Sequence, residues 1–301
     1  MIDFHRLRPE EKGVYESILF SCPPRGCEYS FANLSLWGQQ QAAFFGGCVA
    51  FFSHFNGRSV YPYPIGTGDK GAVLEAILTD ARERGIPCRL SSLTEADCRE
   101  LEGWFPGEFA VRPDRDTFDY VYDIEELAQL PGRKFQKKRN HLHRFTAEHP
   151  NYQIQPLIPE NLPQAQELAE QWFLRRQPEE GVYLSEAIAL FRAFRCFTAL
   201  GLTGIALTEG SQIFAFSIGS PLSRDTFDIH FEKAREDVPG AYTAVNREFA
   251  RYLRCQFPQL RYLNREDDLG LEGLRRAKLS YQPHHLEEKY FCCRKEDLHD
   301  H

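Results

Sequence analysis

The stretch FDIHFEKAREDVPGAYTAVNREFARYL, Phe227–Leu253, decides the predicted fold, because it joins a strand to a helix through Pro239 and Gly240. Its first residues have the apolar and aromatic character of a strand, and Ala241–Gln256 reads as a helix. A proline and a glycine just before a helix suit its first turn, and the glycine lets another group approach the backbone closely. The junction therefore predicts a strand–loop–helix unit of an α/β protein.

Working outward, the second half of the chain has a regular order of predicted elements. The strands are Tyr152–Leu157, Thr203–Glu209, Gln212–Ser220, Thr226–Glu232, Arg261–Asn264 and Leu286–Cys292, and the helices are Lys134–Glu148, Pro159–Arg176, Leu184–Phe194, Ala241–Gln256 and Gly270–Leu279. A three-strand meander followed by helix, strand, helix and strand is the layout of the GNAT acyltransferase fold. The first half has a weaker version of this order, with a hairpin turn at Asn56-Gly57.

We therefore predict an α/β (α+β) protein of two tandem GNAT-like acyltransferase domains, each a mixed sheet flanked by helices. The predicted domains are residues 1–125 and 126–301, with a boundary near residues 123–133 and a shared cleft. Each part has the size of an ordinary domain.

The composition excludes several classes of protein. A pI near 5.8 and a net charge of -7 argue against a dedicated nucleic-acid coat protein. The longest nearly apolar run, Ala42–Phe52, is shorter than the ~20 residues of a membrane-spanning helix, so we expect no integral membrane segment and a cytoplasmic location. The nine cysteines form no CxxC pair and are expected to be mostly buried free thiols. Since the cysteine and histidine spacings do not suit a metal site, we predict no metal.

The positive charge of this acidic chain is concentrated in PGRKFQKKRNHLHRF, Pro131–Phe145, which has six Lys/Arg, two His and no acid. Helical spacing places most of its basic residues in one stripe, beside a narrow apolar stripe of Phe135, Leu142 and Phe145. Because no acid interrupts the run, we predict a phosphate-binding surface formed by Lys134, Lys137, Lys138, Arg139, His141 and Arg144. The alternative is a solvated helix face, which is what most charge runs are.

The loop before Ala241 does not match the acetyl-CoA fingerprint, Arg/Gln-x-x-Gly-x-Gly/Ala. Arg235 and Gly240 are too far apart, and Glu236 and Asp237 place negative charge where CoA would bring phosphates. We therefore expect no cofactor and treat acetyl-CoA as a disfavoured one, and an ordinary β–α loop is the alternative reading. Motifs for serine or cysteine hydrolases, P-loops and zincins are absent from the sequence.

Several stretches together resemble a known family. They are SFANLSLW (30–37), LPGRKFQKKRNHLHRF (130–145), DTFDIHFEKA (225–234), GAYTAVN (240–246) and NREDDLGLEGLRRAKLSYQP (264–283). These stretches resemble those of soluble bacterial proteins that are grouped with the catalytic C-terminal domain of phosphatidylglycerol lysyltransferases. The resemblance covers roughly residues 25–290. The resemblance implies a tandem-GNAT architecture like that of the Fem-type aminoacyltransferases. Those enzymes take an aminoacyl group from charged tRNA rather than an acyl group from CoA.

Aminoacyl transfer requires positioning, a base and stabilisation of the developing oxyanion. Glu232 ends one predicted strand, and Glu266 and Asp268 follow the neighbouring one, so we expect the three to converge as candidate catalytic carboxylates. The other candidate binding residues are Gly240, Tyr242, Asn264, Arg265 and Lys278.

The predicted function is transfer of an aminoacyl group from a phosphate-bearing donor, aminoacyl-tRNA, to an amine or hydroxyl acceptor. The alternatives are an acetyl-CoA-dependent N-acetyltransferase and a non-catalytic ligand-binding protein on the same fold.

Overall fold

The computed structural model describes residues 1–38, 40–55, 58–175 and 181–299. The strands are β1 (Gln40–Phe45), β2 (Cys48–Phe55), β3 (Arg58–Pro62), β4 (Ile65–Gly66), β5 (Arg89–Leu93), β6 (Phe109–Pro113), β7 (Asp119–Asp123), β8 (Gln153–Pro156), β9 (Thr203–Glu209), β10 (Gln212–Pro221), β11 (Thr226–Ala234), β12 (Tyr262–Asn264), β13 (His285–Glu287) and β14 (Tyr290–Arg294). The α-helices are α1 (Lys12–Leu19), α2 (Phe31–Trp37), α3 (Lys70–Arg84), α4 (Glu95–Trp104), α5 (Ile124–Gln129), α6 (Gln136–Glu148), α7 (Leu162–Arg175), α8 (Gly181–Arg195), α9 (Ala241–Gln256) and α10 (Glu272–Leu279). The predicted turn at Asn56-Gly57 and the predicted helix end at Arg176 lie outside the described residues.

The chain divides into two compact units. The first contains residues 1–119, 267–271 and 286–301, and the second contains residues 120–266 and 272–285. This differs from the predicted division into residues 1–125 and 126–301, because the chain returns to the first unit at its C-terminal end. The predicted last strand, Leu286–Cys292, is in fact two strands, β13 and β14, which lie in different sheets.

The sheet of the first unit has the order β1-β2-β3-β5-β14-β6, with β4 paired to β2. β14 lies between β5 and β6 and pairs with both in the antiparallel direction. Its Cys292 is buried in a core with Tyr61, Ile77 and Leu90. All nine cysteines are free thiols, and five of them are buried. The apolar contacts of β14 therefore explain why the C-terminal residues belong to this unit.

The second sheet has the order β13-β7-β12-β11-β10-β9-β8. Strands β8 to β11 pair in the antiparallel direction, β11 and β12 are parallel, and β12 pairs with β7 in the antiparallel direction. The predicted meander and the strand–helix–strand that follows it are therefore present. β7 falls within the predicted first domain, residues 1–125, but it is a strand of the second sheet.

A bulge in β11, with His230 as its extra residue, shapes the centre of this second sheet. The register of β10 with β11 shifts between Ile218 and Gly219. A Cβ atom on Gly219 would lie 2.1 Å from the carbonyl oxygen of Asp228, so glycine is required at this position. Bulges bend a strand and re-aim the side chains that follow. Here the displaced residue is His230, which stands between Phe231 and Ile229, the partners of Ile218 and Gly219. Ser220 then pairs with Asp228.

Candidate active site in the second unit

The candidate site lies where β11 and β12 separate. Their parallel pairing covers Thr226–Asp228 against Tyr262–Asn264, and beyond it β11 continues to Ala234 paired with β10. In α/β sheets, ligands bind where neighbouring strands diverge at their carboxyl ends. In the register with β10, Asp228 pairs with Ser220 and Glu232 pairs with Ser217, while His230 is skipped. This extra residue reverses the alternation of side chains, so Glu232 projects from the face of β11 opposite to Asp228.

Glu266 follows β12 in a strained backbone conformation. Its φ of 57° lies in the left-handed region, which is costly for a residue with a side chain. Its backbone N–H donates to Asn264 Oδ1 at 2.7 Å, and its carbonyl oxygen accepts from Tyr120 N–H and Lys278 Nζ, both at 3.1 Å. Lys278 also donates to the carbonyl oxygen of Arg265. These four contacts fix the turn, and strain of this kind is typical of functional sites.

The turn presents the Glu266 carboxylate to a buried histidine. Glu266 Oε1 lies 3.2 Å from His230 Nδ1, and Ser220 Oγ lies 2.8 Å from His230 Nε2. Asp228 Oδ2 lies 3.4 Å from the same Nδ1 atom. The His230 side chain is fully buried, whereas that of Glu266 is 19% exposed. We call these three hydrogen-bonded residues the Ser220–His230–Glu266 relay. Because its side chain is partly exposed, Glu266 is the member of the relay that can contact a substrate from solvent.

Sequence reasoning did not find the whole relay. Glu266 was predicted as a candidate catalytic carboxylate, whereas His230 and Ser220 were not among the predicted residues. The sequence has no nucleophile-elbow motif, so no local spacing connects this serine with the histidine. The signal that could have found Ser220 is its position at the end of the predicted strand Gln212–Ser220, beside the next strand of the meander.

A second polar group is centred on Glu232, which also belongs to β11. Glu232 Oε1 accepts from Arg265 Nη2 at 2.9 Å, and Glu232 Oε2 accepts from Asn246 Nδ2 at 3.2 Å. The Arg265 guanidinium lies 4.8 Å from the centre of the Tyr281 ring. Lys138 Nζ, from α6, lies 3.4 Å from the centre of the same ring. Burial, and then repulsion by Arg265, lower the pKa of Lys138 to about 8, although Glu232 opposes the shift.

Half of the six residues predicted for the basic stripe have partners within the protein. Lys134 pairs with Glu126 at 2.6 Å, and Arg144 pairs with Glu148 at 2.8 Å. Arg139 donates to the carbonyl oxygens of residues 130 and 132, at 2.6 Å each, and so caps the chain that precedes α6. Lys137 and His141 are exposed. The argument that no acid neutralises the run is therefore wrong, because Glu126 precedes the segment and Glu148 follows it.

Gly240 and Tyr242, predicted to bind phosphate, have packing contacts. Gly240 has a φ of 84°, and a Cβ atom there would lie 2.3 Å from the carbonyl oxygen of His141 and 3.0 Å from Phe145 Cβ. Helix α6 thus covers the N-terminus of α9 closely. The hydroxyl oxygen of Tyr242 accepts a hydrogen bond from Trp172 Nε1 at 2.8 Å.

The three predicted catalytic carboxylates have different partners. Asp268 belongs to the first unit, where it is fully buried, lies 3.3 Å from Arg115 Nη1 and accepts from Gly270 N–H at 3.0 Å. Glu232 and Glu266 belong to the second unit and contact Arg265 and His230, respectively. Lys278 binds backbone carbonyl oxygens and holds the turn at Glu266. Of the predicted residues, Glu266 therefore has the contacts expected of a base.

Two clusters of the described residues have donor atoms within 4.8 Å of one another, as a shared cation would require. In the first unit the atoms belong to Cys27, Glu28 and Asp119, and the ammonium of Lys289 lies 2.6 Å from Glu28 and 2.7 Å from Asp119. The positive charge of Lys289 therefore offsets the negative charge of the two carboxylates.

The other cluster is Asp228, His230 and Glu266. A proton on His230 Nδ1 between the two carboxylates accounts for its distances of 3.2 and 3.4 Å. The arrangement suits proton transfer without a metal ion.

Comparisons with known proteins agree with this architecture. A family model described as "Phosphatidylglycerol lysyltransferase, C-terminal" matches residues 19–293. No helix in the described ranges combines the length and the apolar character that crossing a bilayer requires. The predicted fold class, two GNAT-like units with mixed sheets, and the resemblance to this family are confirmed.

Two solved structures and one curated relative are similar to the chain. A conserved protein of unknown function from Bacteroides thetaiotaomicron is 35% identical, with a TM-score of 0.91 and coverage of 98% of this chain and 100% of that one. L-PGS from Bacillus licheniformis is 16% identical, with a TM-score of 0.70 and coverage of 98% and 94%. An uncharacterized protein from Mycoplasmoides gallisepticum is 28% identical over 194 residues, which are 64% of this chain and 61% of that relative, less than two thirds of its length.

Proposed function

This chain belongs to the family of the phosphatidylglycerol lysyltransferase C-terminal domain, and we propose that it transfers an aminoacyl group from aminoacyl-tRNA to an amine or hydroxyl acceptor. Family and fold point to an acyltransferase of the lysyl-phosphatidylglycerol synthase type. The observation that carries the finer proposal is the strained Glu266, held by its backbone and hydrogen-bonded to the buried His230.

The proposed reaction needs one proton transfer at the acceptor. Glu266 accepts a proton from the acceptor amine or hydroxyl as that group attacks the carbonyl carbon of the aminoacyl ester. A new amide or ester bond forms, the bond to the tRNA ribose oxygen breaks, and the proton passes to that oxygen. A positioned general base of this kind contributes about 10²–10⁴-fold in rate.

His230 and Ser220 act in this scheme as positioning residues. His230 is buried and so does not reach the acceptor, but its Nδ1–H holds the carboxylate of Glu266 in one orientation. Ser220 fixes the opposite edge of the imidazole ring. Glu232 positions Arg265 in the same way, through a hydrogen-bonded ion pair.

We propose that acetyl-CoA is not the donor. GNAT enzymes that use CoA need an open helix N-terminus for its pyrophosphate, and the close approach of the His141 carbonyl oxygen to Gly240 supports a covered one here. Asp237 adds a carboxylate to the same loop, and its hydrogen-bonded pair with Arg235 lowers its pKa to about 2, so it stays charged.

The test is a comparison of donors with the full-length protein. Total tRNA charged with radiolabelled amino acids, and separately labelled acetyl-CoA, is incubated with acceptor panels of phosphatidylglycerol vesicles, peptides and small amines. The proposal expects label to move from tRNA to one acceptor class. Transfer from acetyl-CoA but not from tRNA would replace it with an N-acetyltransferase, and binding without any transfer would favour the ligand-binding alternative.

A further inference from the structure

The group around Arg265 has more positive than negative charge. Arg265 and Lys138 are two cations, and Glu232 is the carboxylate that offsets them, with one oxygen bound by Arg265 and the other by Asn246. Within the described ranges, no carboxylate pairs with Lys138, and the buried Nη1 of Arg265 has no hydrogen-bond acceptor. A buried donor without an acceptor is costly, so this geometry is suited to an anion that is absent from the free protein.

The Tyr281 ring fixes the two cations relative to each other. Lys138 Nζ lies 3.4 Å and the Arg265 guanidinium 4.8 Å from its centre, both in the range of cation–π contacts. Tyr281 is itself buried. Since Arg265 Nη2 donates to Glu232, the donors left for one ligand are Arg265 Nη1 and the Lys138 ammonium.

The pKa of Lys138 also reflects its burial and the nearby positive charge of Arg265. Its pKa of about 8 results from burial and from Arg265, with Glu232 opposing. The neighbouring side chains of Lys134, just before α6, and of His141, one turn further along α6, are exposed. An anion between Lys138 and Arg265 would offset their repulsion and hold Lys138 in its charged form.

We propose that Lys138 and Arg265 form a binding site for a phosphodiester of the 3′ end of the donor RNA. This inference rests on the proposed function. A phosphate offers several oxygens, which suit the planar N–H groups of an arginine together with a lysine ammonium.

The position of this site relative to the base supports the assignment. Arg265, which would bind the phosphate, and Glu266, the proposed base, are consecutive residues, so their Cα atoms are about 3.8 Å apart. In an aminoacyl-tRNA, the last phosphodiester and the aminoacyl ester belong to the same terminal nucleotide. A phosphate at Arg265 therefore places the ester next to Glu266.

The experiment measures binding of the trinucleotide CCA to the full-length protein by NMR titration. Its matched ligand is the same trinucleotide with neutral methylphosphonate linkages. The parent protein should prefer charged CCA, and Lys138→Gln should weaken that binding by about tenfold or more, the usual effect of a charge-assisted hydrogen bond. Arg195→Gln removes the same charge at an exposed residue of α8 and should change the affinity by less than about twofold.

The pH dependence gives a second readout. Since binding favours charged Lys138, affinity should be full below pH 8 and fall by up to about tenfold per pH unit above it. Lys138→Arg should retain binding and lose this dependence, because arginine stays charged.

Equal affinity of the parent and Lys138→Gln for CCA, or no preference for the charged linkage, would overturn the site. If the protein binds glycerophosphoglycerol but not CCA, the site binds a lipid headgroup, and its assignment to the donor RNA is overturned. Absence of CCA binding with transfer from aminoacyl-tRNA intact would overturn this inference alone.

Discussion

Replacement of Gly240 by alanine tests the packing of α6 against the start of α9. The left-handed φ of 84° costs a residue with a Cβ atom about 1–2 kcal/mol. The new methyl group would also lie 2.3 Å from the His141 carbonyl oxygen, and overpacking of this kind costs about 1–3 kcal/mol more. Gly240→Ala should therefore lower the free energy of unfolding by about 2–5 kcal/mol.

Gly210→Ala is the matched control for this prediction. Gly210 has a φ of 59°, and a Cβ atom there would meet nothing within 4 Å, so only the backbone cost of about 1–2 kcal/mol applies. Guanidinium unfolding followed by far-UV circular dichroism gives both values. Equal losses in the two variants would refute the close approach of α6, and with it the structural reason for rejecting CoA as the donor.

Two further predictions concern buried lysines. Lys278→Met should remove the side-chain clamp on the turn at Glu266 and lower kcat by up to about 10²-fold with little change in KM, as steady-state transfer kinetics would reveal. Lys289→Met should cost about 3–5 kcal/mol at neutral pH, because the carboxylates of Asp119 and Glu28 lose their ammonium partner. Burial opposes the charge on Lys289, but these carboxylates raise its pKa well above the usual value, so its contribution persists through neutral pH and is lost only as pH rises through that raised pKa. Urea unfolding should show that the loss of stability caused by Lys289→Met becomes smaller below pH ~4, where carboxylates become protonated. A loss of stability that stays the same at that pH would contradict this explanation.

The order of elements in the second unit could be predicted because short stretches of sequence mark where each strand or helix begins and ends. The turn residues Gly210-Ser211 separate β9 from β10, and the Pro239-Gly240 pair precedes α9, so each boundary has its own signal in the chain. The place of β14 could not be predicted in this way. Its partners, β5 and β6, are distant in sequence, and a short apolar strand carries no information about which sheet it joins.

The candidate site was predicted only in part, for a related reason. Glu266 was found because acids at a strand end are a local signal, whereas the serine of the relay depends on the bulge at His230, which sets its register with β11. The basic stripe was overestimated because Lys134 finds its partner, Glu126, in the preceding helix. A run of charge in the sequence therefore says little about which cations are neutralised after folding.

The measurement that tests the central claim most directly is single-turnover transfer from radiolabelled aminoacyl-tRNA by Glu266→Gln. Its matched control is Glu160→Gln, which makes the same change at an exposed glutamate of the second unit. If Glu266 is the base, its variant should keep the parent fold and lose about 10²–10⁴-fold in rate, while the control transfers at the parent rate. A Glu266→Gln protein that transfers the aminoacyl group as fast as the parent would contradict the account.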